Sequence, residues 1–298
     1  MNASTPPSRA WPASVPEGTI AGPHGSIYYR VVGDGDAVPL LVIHGGPGMP
    51  HDYLRDLDAL ADERPVIYYD QIGCGKSDRP DDSSLWTLAT FADEIDTVRG
   101  ALGLDRVHLL GQSAGGWVAI EYALRAPAGL ASLHLANTCT SIPLFERGVA
   151  HLRSALPGGA GAIIETHESA GTTTHPEYLA AVGLFNRLHF TGADDVPAPV
   201  HAAVRALNPA IYRGMVGTGL TFTGNMAGWD VTDRLGNLDL PVLVTSGRFD
   251  EMTPDAVRPM VEAIPGAQWR LFERSAHLPM VTETDAFMRA TREFLAST

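Results

Sequence analysis

The chain has little basic charge. Lys76 is the only lysine among 298 residues, and 34 acidic side chains against 21 basic ones give a net charge of -13. A chain this acidic repels nucleic acid and anionic lipid, so we expect neither a nucleic acid nor a membrane as a partner. The two cysteines, Cys74 and Cys139, cannot build a disulfide framework and lack the spacing of metal ligands. No motif implies a metal or an organic cofactor.

Long apolar runs are also missing. The run at residues 40–43 is far too short to span a bilayer. Residues 1–17 contain four prolines but neither the basic start nor the apolar stretch of a signal peptide. We therefore expect a cytoplasmic protein with a flexible leader over residues 1–17. A hydrophobic content of 45% is typical of a globular protein, and the composition leaves the oligomeric state open.

Short apolar segments alternate with amphipathic ones along most of the chain, which predicts a mostly parallel sheet flanked by helices. Predicted strands cover residues 26–32, 40–43, 66–69, 106–110, 130–135, 241–245 and 268–272, and predicted helices cover residues 88–102, 117–124, 254–264 and 285–295. The alternation stops at residues 137–237, which contain helical pieces but no convincing parallel strand. We expect this block to be a mainly helical cap inserted into a core of residues 18–136 and 238–298.

Between a predicted strand and a predicted helix lies the pentapeptide Gly-Gln-Ser-Ala-Gly, centred on Ser113. In this context G-x-S-x-G forms a nucleophile elbow, a turn so tight that small residues must flank the serine. The pentapeptide alone is a weak signal, because Gly and Ser are common in loops. Its position in the predicted sheet makes Ser113 the candidate nucleophile.

A serine nucleophile needs a base and a group that orients the base, and on such a sheet they follow in the order Ser, Asp, His. Of the 11 histidines, only His277 lies in a loop after the final predicted strand. Asp250 follows the strand before it, where an acid can accept the Nδ1 proton of His277. The neighbouring Glu251 could substitute, but adjacent side chains point in different directions and Asp250 is favoured.

A glycine-rich loop, His44-Gly-Gly-Pro-Gly, follows the strand at residues 40–43. Such a loop can direct a backbone N–H toward a developing oxyanion, and the residue after the nucleophile supplies a second donor. We therefore expect the N–H groups of Gly46 and Ala114 to form the oxyanion hole. His44 itself is expected to be structural.

Three segments together resemble the proline iminopeptidase family of α/β-hydrolases. They are the His-Gly-Gly-Pro-Gly loop, the stretch Asp70-Gln-Ile-Gly-Cys-Gly-Lys-Ser77, and Gly111-Gln-Ser-Ala-Gly-Gly116; Trp229-Asp230 is similar as well. The resemblance spans nearly the whole chain from about residue 18. It implies an α/β-hydrolase fold and an aminopeptidase that releases N-terminal Pro or hydrophobic residues from short peptides or amino-acid amides. It also implies that Glu251 binds the substrate's α-ammonium group.

The chain departs from the family pattern at three places. Ala114 stands where members often have Trp or Tyr, Ile72 replaces the usual Arg, and residues 217–224 lack the Glu that peptidases of the family carry there. Cap acids that could compensate are Glu146, Glu165, Glu168 and Asp194. These departures leave open an esterase, lactonase or amidase acting on a small metabolite. A non-catalytic binding protein on the same scaffold is a further alternative, disfavoured by the complete Ser-Asp-His set.

Overall fold

The computed structural model describes residues 17–193 and 196–298. The predicted leader lies outside these residues except for Glu17, which begins the first strand because its backbone pairs with Arg30. In the described part of the chain, no helix is long and apolar enough to cross a bilayer.

Eight strands form one sheet in the order β1-β2-β4-β3-β5-β6-β7-β8. The strands are β1 (Glu17–Gly22), β2 (Gly25–Val32), β3 (Leu40–Ile43), β4 (Val66–Tyr69), β5 (Val107–Gln112), β6 (Leu130–Ala136), β7 (Val242–Gly247) and β8 (Gln268–Phe272). Pairing is antiparallel from β1 through β2 to β4 and parallel across the rest. The sequence predicted all of these strands except β1, which is an edge strand with only one buried residue and so shows a weak apolar pattern.

Both faces of the sheet are buried, because side chains alternate between them along each strand. In β3, Leu41 and Ile43 belong to one apolar core, whereas Leu40 and Val42 belong to a second core on the opposite face. Each core is completed by helices. The helices are α1 (Leu88–Leu102), α2 (Ala114–Ala123), α3 (Ile142–Ser154), α4 (Ala160–Ala170), α5 (Pro176–Asn186), α6 (Ala198–Ala206), α7 (Pro209–Met215), α8 (Pro254–Ala263), α9 (Pro279–Thr282) and α10 (Thr284–Ala296), with a 3-10 helix at His51–Asp62.

Helix α2 begins three residues before the position that the sequence predicts. Gly115 and Gly116 fall in its first turn and weaken the helical signal there. The segment between β6 and β7 contains α3 to α7 and a π-helical turn at Arg187–Thr191. The predicted cap, residues 137–237, falls within this segment, and its status as a separate unit stays a prediction.

Candidate active site

Ser113 occupies the turn between β5 and α2 with φ 57° and ψ -126°, a conformation that few residues other than glycine adopt. Such strain costs on the order of 1–3 kcal/mol and persists only where the surroundings enforce it. The surroundings here are tight: a Cβ on Gly115 would lie 2.2 Å from the carbonyl oxygen of Ile43. The elbow sequence therefore holds Ser113 at the carboxyl end of β5, between the β3 loop and the N-terminus of α2.

His277 and Asp250 form a buried pair beside this turn. Nδ1 of His277 lies 2.7 Å from Oδ1 of Asp250, and both side chains are fully buried. Burial opposes ionisation of the imidazole, but the charge and hydrogen bond of Asp250 outweigh it and raise the pKa of His277. Asp250 thus favours the imidazolium that a general base becomes after it accepts a proton.

The second ring nitrogen of His277 is available for chemistry. Among the described residues, Nε2 is buried and has no hydrogen-bond partner, which is unusual for a buried polar atom. Oε1 of Glu251 lies 3.9 Å from it. Ser113 and Glu251 line one cavity of about 50 Å³, which we call the serine cavity. The structure therefore pairs His277 with Asp250 and places Glu251 in one cavity with Ser113, whereas the action of Ser113, His277 and Asp250 as a triad stays a prediction.

Glu251 is a carboxyl group in a poorly solvated position. Burial raises its pKa to about 7, with a further increase from Asp250 and a partial offset from His277. It is therefore partly protonated near neutral pH and gains a full charge when a cation binds next to it.

The two residues predicted as oxyanion donors belong to backbone segments that adjoin Ser113. Gly46 lines the serine cavity, and Ala114 is the first residue of α2, where helix N–H groups have no partner within the helix. The loop approaches the elbow closely, because a Cβ on Gly45 would lie 2.7 Å from the Cβ of Ser113. This arrangement places both backbone segments beside the nucleophile.

Sequence reasoning missed Asn137, which supports Asp250. Its amide nitrogen donates to Oδ2 of Asp250 at 2.7 Å and to the carbonyl oxygen of Ala276 at 3.3 Å. The N–H of Met252 donates to the other carboxylate oxygen of Asp250 at 2.9 Å. Asn137 directly follows β6 and has φ 50°, a left-handed conformation that Asn tolerates better than most residues. A polar residue at the carboxyl end of a central strand is the signal that could have found it.

A second support network joins the oxyanion loop to His277. The N–H of Gly45 donates to the hydroxyl of Tyr53 at 2.7 Å, and that hydroxyl donates to Oε1 of Gln112 at 2.6 Å. Nε2 of Gln112 donates in turn to the carbonyl oxygen of His277 at 3.3 Å. Tyr53 and Gln112 therefore fix the loop and the base in relation to the elbow between them.

The Asp70 stretch has a structural role next to the site. The Asp70 carboxylate accepts from the N–H of Lys76 in its own loop and from the N–H of His51 at the start of the 3-10 helix, so it joins these two segments. Gln71 joins that loop to His44, since its N–H donates to His44 Nε2 at 3.0 Å and its side chain donates to the His44 carbonyl oxygen at 2.8 Å. Burial lowers the pKa of His44 to about 4, so the ring is neutral and acts as a structural acceptor, as the sequence predicts.

The cap acids are engaged elsewhere. Glu168 forms an ion pair with Arg153 and accepts from the N–H of Leu220 at 2.8 Å, and Glu146 accepts from the N–H of Phe222 at 2.9 Å. Glu165 is exposed, and Asp194 lies outside the described residues. Within the described ranges, Glu251 is the only acidic side chain that lines the serine cavity.

A possible metal site lies apart from this cavity. His167, His175 and Glu177 offer ligand atoms within 4.8 Å of one another, and they are the one such group among the residues described. The two imidazole rings stack with centroids 4.6 Å apart and an interplanar angle of 18°. Nearly parallel rings do not direct their lone pairs to a common point, and none of the three residues lines the serine cavity.

Comparison with known proteins identifies the family. Residues 38–284 match the model of the α/β-hydrolase fold family. A proline iminopeptidase of Lactobacillus delbrueckii subsp. lactis is 40% identical over 277 residues, which cover 91% of this chain and 94% of that protein. The crystal structure of proline iminopeptidase from Mycobacterium smegmatis has 36% identity and a TM-score of 0.88, and covers 94% of this chain and 98% of that one. The structure of VinJ has 33% identity and a TM-score of 0.91, with coverage of 96% and 99%.

A family model over most of the chain and relatives of this identity over nine-tenths of it lead to one conclusion: the chain belongs to the proline iminopeptidase family of α/β-hydrolases and is a hydrolase.

Proposed function

We propose that this protein is a serine aminopeptidase that releases an N-terminal Pro or small hydrophobic residue from short peptides or amino-acid amides. The observation that carries the proposal is the position of Glu251, a poorly solvated carboxyl group in the same cavity as Ser113 and 3.9 Å from Nε2 of His277. A carboxylate there can pair with a free α-ammonium group near the scissile carbonyl. An N-acylated substrate has no such charge and would leave Glu251 unpaired.

The proposed chemistry assigns a role to each of the other predicted site residues. Ser113 Oγ attacks the carbonyl carbon while Nε2 of His277 accepts its proton, and Asp250 stabilises the resulting imidazolium. The N–H groups of Gly46 and Ala114 donate to the oxyanion, each contributing on the order of 3 kcal/mol. The imidazolium then protonates the leaving amine. Water hydrolyses the acyl-enzyme by the same proton route.

The serine cavity suits a small acyl group. Its walls include four aromatic rings, among them Trp117 and Phe222 with centroids 5.9 Å apart, and Phe145, whose centroid lies 5.5 Å from that of Phe222. A volume of about 50 Å³ accepts a few heavy atoms, which matches a pyrrolidine ring or a short aliphatic side chain.

A second candidate keeps this machinery but changes the substrate to an ester, lactone or other acylated metabolite. It is favoured by residues 217–224, which contribute Gly219, Leu220 and Phe222 to the cavity wall but no carboxylate. A single acidic side chain then has to bind the ammonium group without help.

A rate panel on the purified protein separates the two candidates. It pairs Pro-, Ala- and Phe-p-nitroanilide with their N-acetylated forms and with short p-nitrophenyl esters, with Ser113→Ala as the blank. We expect cleavage of the Pro and Ala anilides, slower cleavage of the bulkier Phe anilide, and no cleavage of the acetylated ones. Cleavage of esters alone would overturn the aminopeptidase assignment. Failure of Ser113 to react with a fluorophosphonate probe would favour a non-catalytic binding protein.

A further inference from the structure

Beyond the serine cavity lies a much larger one. It has a volume of about 410 Å³, within the usual range for ligand pockets, and we call it the apolar chamber. The two cavities share wall residues, among them Gly46, Tyr212 and Glu251. The other walls are mainly apolar and come from the helical segment between β6 and β7. They include Val182 of α5, Phe190 of the π-helical turn, and Val200 and Val204 of α6.

The chamber adjoins His277, the residue proposed to protonate the leaving group. The ring of Phe190 packs against His277 with centroids 5.3 Å apart, and the N–H of His277 donates to the Phe190 carbonyl oxygen at 3.1 Å. The N–H of Glu251 donates to the carbonyl oxygen of His189 in the same turn at 3.0 Å. The imidazolium must deliver its proton to the leaving amine at Nε2, which lies 3.9 Å from Glu251, a wall residue of the chamber, so a leaving group too large for the serine cavity extends into the chamber.

The described walls of the chamber contain no permanently cationic side chain to pair with a negative charge. Among the described residues that line either cavity there is no lysine or arginine, and the titratable side chains are Glu251, His201 and two tyrosines. A free α-carboxylate on the leaving amino acid would be desolvated there without a counter-ion, close to the acidic Glu251. An uncharged apolar group gains from burial at the same place.

We infer that the apolar chamber binds the leaving portion of the substrate, and that this portion is an uncharged apolar amine or peptide amide rather than a free amino acid. The inference rests on the aminopeptidase function proposed above. The two sides of the scissile bond then differ in size: a small acyl residue lies in the serine cavity, and a bulky apolar leaving group lies in the apolar chamber. Val204 is 47% exposed, so the chamber reaches the surface at α6 and can admit a longer chain.

The test measures kcat/KM for prolyl butylamide, hexylamide and octylamide by release of proline. The three leaving amines have nearly equal basicity, so differences report contacts and not intrinsic reactivity. We expect kcat/KM to increase about threefold per added methylene, since each buried methylene is worth about 0.8 kcal/mol before incomplete burial is counted. A second comparison uses Pro-Leu and Pro-Leu-amide, with the amide expected to react at least about tenfold faster because burying an unpaired carboxylate is costly.

Variants locate the contact. Val182→Phe places a larger side chain in the chamber and is expected to flatten the dependence on alkyl chain length. Leu179→Phe is the matched control: it lies on the same helix, is 57% exposed and lines neither cavity, so it should retain the full dependence. Thermal unfolding of both variants shows whether they fold.

The outcomes separate this inference from the function on which it rests. Equal rates for the three alkylamides, or faster cleavage of Pro-Leu than of its amide, would overturn the inference while leaving the aminopeptidase intact. A preference for bulky acyl residues with the same hexylamide leaving group would also overturn it, because the chamber would then serve the acyl side. Cleavage of none of these amides and of no free-amino anilide would instead refute the aminopeptidase itself.

Discussion

Asn137 gives the sharpest test of how the site is held together. Asn137→Gly removes the side chain that donates to Asp250 and Ala276 while allowing the left-handed backbone conformation at this position. A hydrogen bond to a charged group contributes about 1.5–3 kcal/mol, and Asp250 is buried so that little water can replace the lost donor. If Asp250 is thereby displaced from His277, the loss corresponds to a decrease of roughly 10- to 100-fold in kcat/KM.

Steady-state hydrolysis of Pro-p-nitroanilide and the rate of fluorophosphonate labelling at Ser113 measure this effect. Both should decrease together, because both depend on proton acceptance by His277. Asn137→Ala also removes the amide group but adds backbone strain, because alanine disfavours the left-handed conformation at this position. It should therefore unfold more easily than Asn137→Gly, while each folded molecule should be as active. Asn225→Ala, which loses an amide hydrogen bond to the Trp86 carbonyl oxygen, is the control for a general effect of losing such a bond. Wild-type kinetics in a folded Asn137→Gly protein would refute the reasoning.

Three further predictions concern the nucleophile, the ammonium ligand and a buried acid. Ser113→Ala and His277→Ala should each decrease turnover by roughly four orders of magnitude or more, and near-normal turnover in either would contradict its proposed role. The melting temperature should stay unchanged in Ser113→Ala and decrease in His277→Ala, which leaves the buried Asp250 without its partner. Glu251→Gln should raise KM for free-amino anilides about tenfold with little change for esters, since a charged hydrogen bond is lost. The carboxylate form of Glu251 binds the ammonium group, and the pKa of Glu251 is about 7. As the pH falls below this value, kcat/KM of the wild type should therefore decrease more steeply for anilides than for esters. In Glu251→Gln the pH profiles of the two substrate classes should coincide on the acid side. Burial raises the pKa of Glu94 from 4.5 to about 8, so the unfolded state ionises this group first and the stability of the folded state decreases as the pH rises between these values. Glu94→Gln should therefore raise the melting temperature by about 2 °C or more at alkaline pH and not at pH near 4. A difference that does not depend on pH would contradict this account.

The local sequence determined the sheet and the elbow. Short apolar strands separated by amphipathic segments fixed the mostly parallel sheet, because burial on both faces requires that pattern. The sequence also indicated the elbow, since only glycine fits two residues before and two residues after Ser113. The sequence also indicated Asp250 and His277 as candidates. Each comes shortly after a strand in the chain, and the carboxyl ends of parallel strands meet at one edge of the sheet.

Other features depended on tertiary structure. Asn137 and Tyr53 reach the site through hydrogen bonds to residues far away in the sequence, and no local pattern marks such partners. The pKa of Glu251 depends on its burial, and the apolar chamber depends on how α5 packs against α4 and how α6 packs against the 3-10 helix at His51–Asp62, none of which periodicity specifies. Local patterns fix which side chains are buried and where strands end, but the desolvation and shape of a cavity come from segments that meet only after the chain has folded.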